Sequence, residues 1–297
     1  MTQFLQALVN GVALSAIYAL IALGFVIIYK STQVLNFAQP ALLLLGAYWV
    51  VYFATVLHWS FWLAVVAAVV LSALTGVVVE RVVLRPMVGK PVFAVAILTI
   101  GLNTVITVIA LNLIGIDIRR IGDPWGLDVS HIGSLSIAHR QVAAIVTAAL
   151  VVALLLAFFK YSRIGLAMRA SAFDQEVALT QGVSVTAVFA ISWALAAVMA
   201  MLGGVFIGGQ VGLDRSASVV ALKALPAVVV GGLDSIPGAL VGSLIVAVAE
   251  ALSAAYQPTY ASFLGKGFSQ VVPYLVMFIV LLVRPYGLFG TREVERV

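Results

Sequence analysis

The sequence contains no cysteine and few charged residues. Of its 297 residues, 9% are charged and 64% are hydrophobic, and the mean hydropathy is +1.20. Soluble domains average about 25% charged residues, so no soluble core could hide this much apolar surface. The apolar runs are long and continuous, which favours helices over an alternating β-barrel pattern. The sequence therefore predicts an all-α, polytopic membrane protein without disulfides or thiolate metal sites.

Motifs for catalysis, metal binding and nucleotide binding are also missing. The histidines His58, His131 and His139 have no metal-ligand spacing, and no serine lies in a G-x-S-x-G turn. No G-x-x-x-x-G-K-[ST] motif occurs, because LGKGFS at 264–269 has the wrong order. No basic block accompanies surface aromatics. We therefore expect no catalytic residue, metal or cofactor on this chain and no nucleic-acid partner.

The apolar segments predict about eight membrane-spanning helices, with seven and nine as the limits. Two pieces, 218–233 and 237–252, are each shorter than the roughly 20 residues that an untilted span needs. They form either two spans or one re-entrant hairpin. The other spans are expected at about 9–29, 33–57, 61–79, 92–114, 141–159, 188–209 and 270–283.

Basic residues are unevenly divided between the two sets of loops that these spans create. One set holds Lys30, Arg81, Arg85, Lys90, Lys160, Arg163, Arg169, Arg284, Arg292 and Arg296. The other holds Arg119, Arg120, Arg140, Arg215 and Lys266. Because cytoplasmic loops carry the excess of Lys and Arg, we predict an external N-terminus and a cytoplasmic C-terminus.

One polar segment, Lys160 to Gly182, interrupts the apolar pattern on the predicted cytoplasmic side. Ser171 and Asp174 form an S-x-x-D pattern that predicts a helix start, and Gly182 predicts the stop. Such a helix has about three turns and is too short to span a bilayer. It is either a linker between two spans or a contact to another protein.

Polar residues at or within the spans are candidates for a translocation pathway, because burying them is costly. The candidates are Asn36, Gln39, Pro40, Asn103, Thr107, Lys223 and Pro237. Interhelical hydrogen bonds, helix capping and snorkelling of Lys223 to the interface are the structural alternatives.

The remaining acidic residues of the spans, Glu80 and Glu250, are expected at the membrane interface. No chain of buried Asp, Glu or His is evident, which favours an energy source on another subunit over ion coupling. The segments NFAQPALLLLGA and LDSIPGALVGS both place proline after a polar break, as the halves of a transporter repeat would.

Several segments resemble a known family of transport proteins. RIGLAMRASAFDQEVALTQGVSV resembles the cytoplasmic loop of ABC-importer permeases, where a short coupling helix docks on the ATPase. Three further blocks resemble the H-type permease of branched-chain amino acid importers: NGVALSAIYALIALGFVIIYKSTQVLNFAQPALLLLGAY, the GGL-x-SIPGA block and the tail RPYGLFGTREVERV. The urea importer permease has similar blocks.

The resemblance implies one type II ABC-importer-like permease domain over residues 1–297, in the bacterial inner membrane. It implies a cytoplasmic coupling helix at 171–182, with ATPase contacts from Arg169, Ser171, Ala172, Phe173, Asp174, Glu176, Ala178 and Gly182. The implied partners are a second permease subunit, two ATPases that bind ATP and Mg, an external solute-binding protein and the lipid bilayer. The solute is a branched-chain or hydrophobic amino acid, with urea or short amides as the alternative. A stand-alone channel or ion-coupled carrier is the alternative class.

Overall fold

Helices dominate the computed structural model, which describes residues 2–115, 118–173, 175–265 and 267–291. Within these residues, seven helices are long and apolar enough to cross a membrane, and two shorter apolar segments accompany them. The prediction of about eight spans is thereby confirmed. The long helices are α1 (Thr2–Thr32), α2 (Gln39–Val51, continued by a π-helical turn to Val56), α3 (Phe61–Val79), α4 (Val92–Ile114), α5 (His139–Tyr161), α8 (Val185–Val211) and α11 (Ile236–Tyr260).

The short helices complete the chain between and after these spans. Two of them, α6 (Arg163–Phe173) and α7 (Gln175–Thr180), connect α5 to α8. Another pair, α9 (Ser216–Leu222) and α10 (Ala224–Gly231), forms one short apolar segment, and α12 (Val272–Val283) ends the other. The predicted bounds of α3 and α4 are the observed ones, whereas α5 and α8 extend a few residues beyond their predicted bounds. Helix α1 begins at Thr2, well before the predicted start at 9, and ends at Thr32.

Helix α1 lies at the centre of the bundle. The most apolar 18-residue stretch of α1 is 83% buried inside the bundle. The corresponding stretches of α3, α4 and α5 are only 22–28% buried, so these helices face outward. Gly11 of α1 lies against Val248 and Ala251 of α11, and Gly203 of α8 lies against Ile21. Small residues allow such close approach, which is how helices associate inside a membrane.

The segment 218–252 crosses the bundle twice and is not a re-entrant hairpin. Leu213, just before α9, exchanges backbone hydrogen bonds with Arg119 at one end of the bundle. At the other end, Val230 and Gly231 of α10 accept hydrogen bonds from Leu288 and Phe289. Helix α11 then returns, and Gln3 donates a hydrogen bond to the Ala255 carbonyl near the N-terminus. With 25 residues, α11 is a full span that sequence analysis had made too short.

A small β-hairpin lies in the loop between α4 and α5. Strands β1 (Val129–Ile132) and β2 (Leu135–Ala138) pair antiparallel, with Val129 opposite Ala138. The Gln6 side chain exchanges two hydrogen bonds with the Ser136 backbone, at 2.8 and 2.9 Å, so the hairpin is fixed to the start of α1. We call this end of the bundle the hairpin face. An all-α prediction from hydropathy had left this loop without structure.

The opposite end of the bundle, which carries α6 and α7, is called the α6 face. Lys30, Arg169 and Thr291 line one cavity there, and Gln33 and Lys90 line a second. The loops that were predicted to share one side of the membrane therefore share one face. Lys266, Arg292 and Arg296 of the charge count lie outside the described residues.

Candidate functional site

The polar segment after α5 begins its helix nine residues earlier than predicted. Ser162 caps α6, because its Oγ accepts a hydrogen bond from the Gly165 amide at 2.8 Å and its carbonyl accepts one from Leu166. The predicted start at Ser171 is wrong, since Ser171 is buried within the last turn of α6. Its Oγ has no hydrogen-bond partner among the described residues. Asp174, the other half of the S-x-x-D pattern, lies outside them.

The predicted end of the segment at Gly182 is confirmed. Gly182 has φ of +80°, its amide donates to Leu179 at 3.0 Å, and Val183 donates to Ala178 at 3.0 Å. This left-handed conformation suits glycine and stops the helix. Ala178 is buried, and α7, which contains Glu176, packs against α8. Helical structure thus extends from Arg163 to Phe173 and from Gln175 to Thr180, well before the start that was expected at 171.

The end of α6 presents an apolar side chain to solvent. Phe173 is 94% exposed, Arg169 is exposed and Ala172 is half-buried. All three line a cavity of about 850 Å³ on the α6 face, together with Lys30 and Asp234. An exposed aromatic beside basic side chains is typical of a contact to another protein.

The C-terminal segment 284–291 forms another wall of this cavity. Leu288 and Phe289 donate backbone hydrogen bonds of 2.9 Å to Val230 and Gly231, and Thr291 bonds to Asp234. The GGL-x-SIPGA block and the RP-x-GLFG block therefore pack on each other. Sequence analysis noted both blocks and did not predict their contact.

Asn36, Gln39 and Pro40 are buried at the start of α2. Asn36 Nδ2 donates to Gln39 Oε1 at 3.2 Å, and Gln39 Nε2 donates to the Ala196 carbonyl of α8 at 3.1 Å. Asn36 Oδ1 also accepts the Ala38 amide at 2.9 Å, which forms an Asx turn just before the helix. These bonds hold the break of α2 against α8, so local turn bonding and interhelical bonding account for the polarity here.

The second proline break resembles the first in the position of its proline. Ser235 Oγ accepts the Gly238 amide at 3.0 Å at the start of α11, and Pro237 lies in the first turn, as Pro40 does in α2. Proline is favoured there because the first helical amides have no intrahelical partner. Pro237 is exposed on the α6 face and does not line the interior. The two breaks therefore share the position of their proline and differ in capping, because a side chain caps α11 and none of the described side chains caps α2.

Asn103 and Thr107 lie one turn apart on α4, which faces outward. Asn103 Oδ1 and Thr107 Oγ1 are buried, and neither has a hydrogen-bond partner among the described residues. An unsatisfied buried polar atom costs about 1–3 kcal/mol, and a group from outside cannot reach these two atoms because residues of this chain cover them.

Lys223 and Glu250 form a buried ion pair. Lys223 Nζ lies 2.7 Å from Glu250 Oε1, and Tyr18 Oη donates to Glu250 Oε2 at 2.6 Å. The side chains of Lys223 and Glu250 are 12% and 10% exposed. Lys223 therefore does not snorkel to the interface, which was one alternative for it, and the interfacial position expected of Glu250 is wrong. Lys223 lies at the junction of α9 and α10, and the full length of α11 places Glu250 well inside the bundle.

Glu80 is likewise buried, contrary to the interfacial position expected for it. It follows α3 in a π-helical turn and pairs with Arg85 at 3.4 Å.

The sequence signal for the Lys223–Glu250 pair was a lone lysine and a lone glutamate in two separate apolar segments. Among the described residues, no group of three or more His, Asp or Glu could hold a metal ion.

Comparison with known proteins gives consistent relatives over nearly the whole chain. The family model described as branched-chain amino acid transport system/permease component matches residues 7–281. The chain is 33% identical to the high-affinity branched-chain amino acid transport system permease protein LivH of Salmonella typhimurium, over 99% of this chain and 98% of that protein. It is 30% identical to the permease protein BraD of Pseudomonas aeruginosa, with the same coverage.

A solved structure shares the fold. The similarity is to PsaBC from Streptococcus pneumoniae in complex with Fab, with a TM-score of 0.52. The alignment covers 95% of this chain and 92% of that chain at 14% sequence identity. The arrangement of helices is therefore one already found in a solved protein.

Proposed function

Because this chain belongs to the family of permease components of branched-chain amino acid transport systems, we propose that it imports branched-chain amino acids as the membrane subunit of an ATP-driven transporter. A permease component is not itself catalytic. ATP and Mg are bound by two cytoplasmic ATPases, and a second permease subunit completes the membrane part. An external solute-binding protein delivers the amino acid at the hairpin face.

The observation that carries this proposal is the position of α6 and α7. They lie between two spans, α5 and α8, and present Phe173 away from the bundle. A partner that moves this pair would move both spans. Arg169, Ser171, Ala172, Phe173, Asp174, Glu176, Ala178 and Gly182 form the proposed coupling segment.

The α6 face is the cytoplasmic face in this proposal. Its described basic residues are Lys30, Arg81, Arg85, Lys90, Lys160, Arg163, Arg169 and Arg284. The hairpin face has Arg119, Arg120, Arg140 and Arg215. The excess on the α6 face indicates a cytoplasmic position in the inner membrane. The N-terminus is then external and the C-terminus cytoplasmic.

The second permease subunit covers the outward face of α4. The translocation pathway changes its access when the ATPases close. Asn36, Gln39 and Pro40 hold the break of α2 that moves with it.

Uptake of labelled leucine into proteoliposomes tests the proposed function. The complete transporter with its binding protein is expected to accumulate leucine when ATP is present and to accumulate none without ATP. Leucine transport by this chain alone would instead indicate a channel or an ion-coupled carrier. Uptake of urea in place of leucine would contradict the amino acid substrate.

A further inference from the structure

A cavity of about 710 Å³ opens on the hairpin face between α1, α5, α8 and α11. Its volume lies within the range of about 300–1,000 Å³ that is usual for small-molecule sites. Carboxamide side chains surround the opening, and small apolar residues form much of the wall. The carboxamides are Gln3, Gln6, Asn10, Gln141 and Gln210, and the wall residues include Ala7, Ala13, Leu14, Ala251, Ala254 and Ala255.

Two charged side chains of opposite sign line this cavity, Arg140 and Glu250. Arg140 is near the mouth, because it follows the β-hairpin at the start of α5 and donates from Nη1 to the Gly209 carbonyl at 3.1 Å. Glu250 is at the inner end, where it is bound to Tyr18. A branched-chain amino acid at neutral pH also carries one charge of each sign, together with an aliphatic side chain.

We propose that this cavity binds the zwitterion of an aliphatic amino acid as it enters the permease, with Arg140 recognising the carboxylate and Glu250 the ammonium group. The proposal rests on the proposed function and assigns the substrate a place within this subunit. Arg140 meets the carboxylate at the mouth, and Glu250 receives the ammonium group farther in. The alanine wall accommodates the aliphatic side chain.

Both charged groups have binding capacity left for a ligand. A guanidinium has five N–H donors, and one of those of Arg140 is used within the described residues. A carboxylate has about four lone-pair directions. Tyr18 and Lys223 occupy two of those of Glu250. An ammonium group can therefore bind Glu250 from the cavity while the ion pair keeps the empty site neutral.

Lys223 gives this site a connection to the rest of the bundle. It is the junction residue between α9 and α10, and its contact with Glu250 holds that junction against α11. An ammonium group at Glu250 shares the carboxylate with Lys223, which reduces the attraction between Lys223 and Glu250. Occupancy of the cavity therefore weakens the contact that holds the broken helix in place.

Equilibrium binding of labelled leucine to the purified full chain in nanodiscs tests this site without the binding protein. Arg140→Gln is expected to weaken leucine binding about tenfold or more, as expected for a lost hydrogen bond to a charged group. Lys223→Met with Glu250→Gln removes both partners of the ion pair, leaves no lone buried charge, and is expected to weaken leucine binding to a similar extent. Competition by 4-methylpentanoate should depend on Arg140, and competition by leucinamide on Glu250.

The matched controls remove exposed charges on the same face. Arg120→Gln and Asp128→Asn are expected to bind leucine as the unmodified chain does, because neither residue lines the cavity. Ala254→Phe fills the cavity from an exposed position without changing a charge, and it should abolish binding in a folded chain.

Two results would overturn this site. One is unchanged leucine affinity in Arg140→Gln and Ala254→Phe, and the other is equal competition by urea and by leucine. If the complete transporter still carries leucine, such results refute the cavity site alone. If the unmodified transporter carries no leucine, the proposed function fails as well.

Discussion

Single glycines determine how closely α10 and α11 approach each other. A Cβ on Gly242 would fall on the Ala227 carbonyl oxygen and within 2.7 Å of the Gly231 amide nitrogen. Gly238 and Gly231 are in similar contact with each other's backbone. Overpacking of this kind forces the backbone to shift. The crossing that brings Glu250 opposite Lys223 therefore depends on residues without a side chain.

Gly242→Ala is expected to destabilise the protein by about 1–3 kcal/mol, because the added methyl group cannot fit between the two helices. Gly101→Ala is the control, since a Cβ at that position of α4 meets no atom within 4 Å. It should be neutral or stabilise by up to about 1 kcal/mol through helix propensity. Steric-trap unfolding in bicelles measures the free energy of unfolding of both variants. Equal effects at the two positions would contradict the close approach of α10 and α11.

At the scale of elements, α6 and α7 are short helices that the bundle holds by one side only. Ala178 and Met168 are buried against it, while Phe173 points away. The position of α6 and α7 comes from the contacts at Ser162 and Gly182 and from packing on α8. Such an element can transmit a displacement to α5 and α8 without unfolding the spans.

Phe173→Asp is expected to weaken binding of the partner ATPase at least about tenfold, because aromatic anchors dominate protein interfaces. The protein should fold normally, since the ring is 94% exposed. Phe263→Asp is the matched control, with a ring that is 84% exposed near the hairpin face. The amount of ATPase that co-purifies with each variant in detergent measures its binding. Loss of the ATPase in Phe263→Asp, or its retention in Phe173→Asp, would contradict the coupling surface.

The whole molecule is a membrane bundle with two chemically different faces. The α6 face holds most of the described basic residues, and the hairpin face has the β-hairpin and the amide-lined cavity. Because the chain has no cysteine, single cysteines can report its orientation without background labelling.

Leu127→Cys and Phe173→Cys are expected to label on opposite sides of the membrane. Leu127 is 83% exposed in the loop before β1, and Phe173 ends α6. In intact cells a membrane-impermeant maleimide should modify the cysteine at 127, and it should reach the cysteine at 173 only after permeabilisation. The reverse pattern would invert the proposed topology and place the N-terminus in the cytoplasm.

The sequence by itself determined the class, the spans and the family. Hydropathy located α3 and α4 correctly because a span must satisfy its own backbone hydrogen bonds and match the bilayer thickness, which are local requirements. Gly182 was identified as a helix stop for an equally local reason, its left-handed conformation. The blocks around Pro40 and Pro237 carried the resemblance to the permease family, which comparison confirmed.

Tertiary structure decided which polar groups meet. Ser162 caps α6, whereas Ser171, which begins the S-x-x-D pattern, is buried within the helix. Tyr18 and Glu250 are 232 residues apart, and Lys223 and Glu250 are 27 apart. No local pattern encodes such a pairing, because it depends on how α1, the α9–α10 junction and α11 pack together. The same packing makes Lys223 and Glu250 a buried ion pair beside a cavity, although Glu250 was expected at the membrane interface.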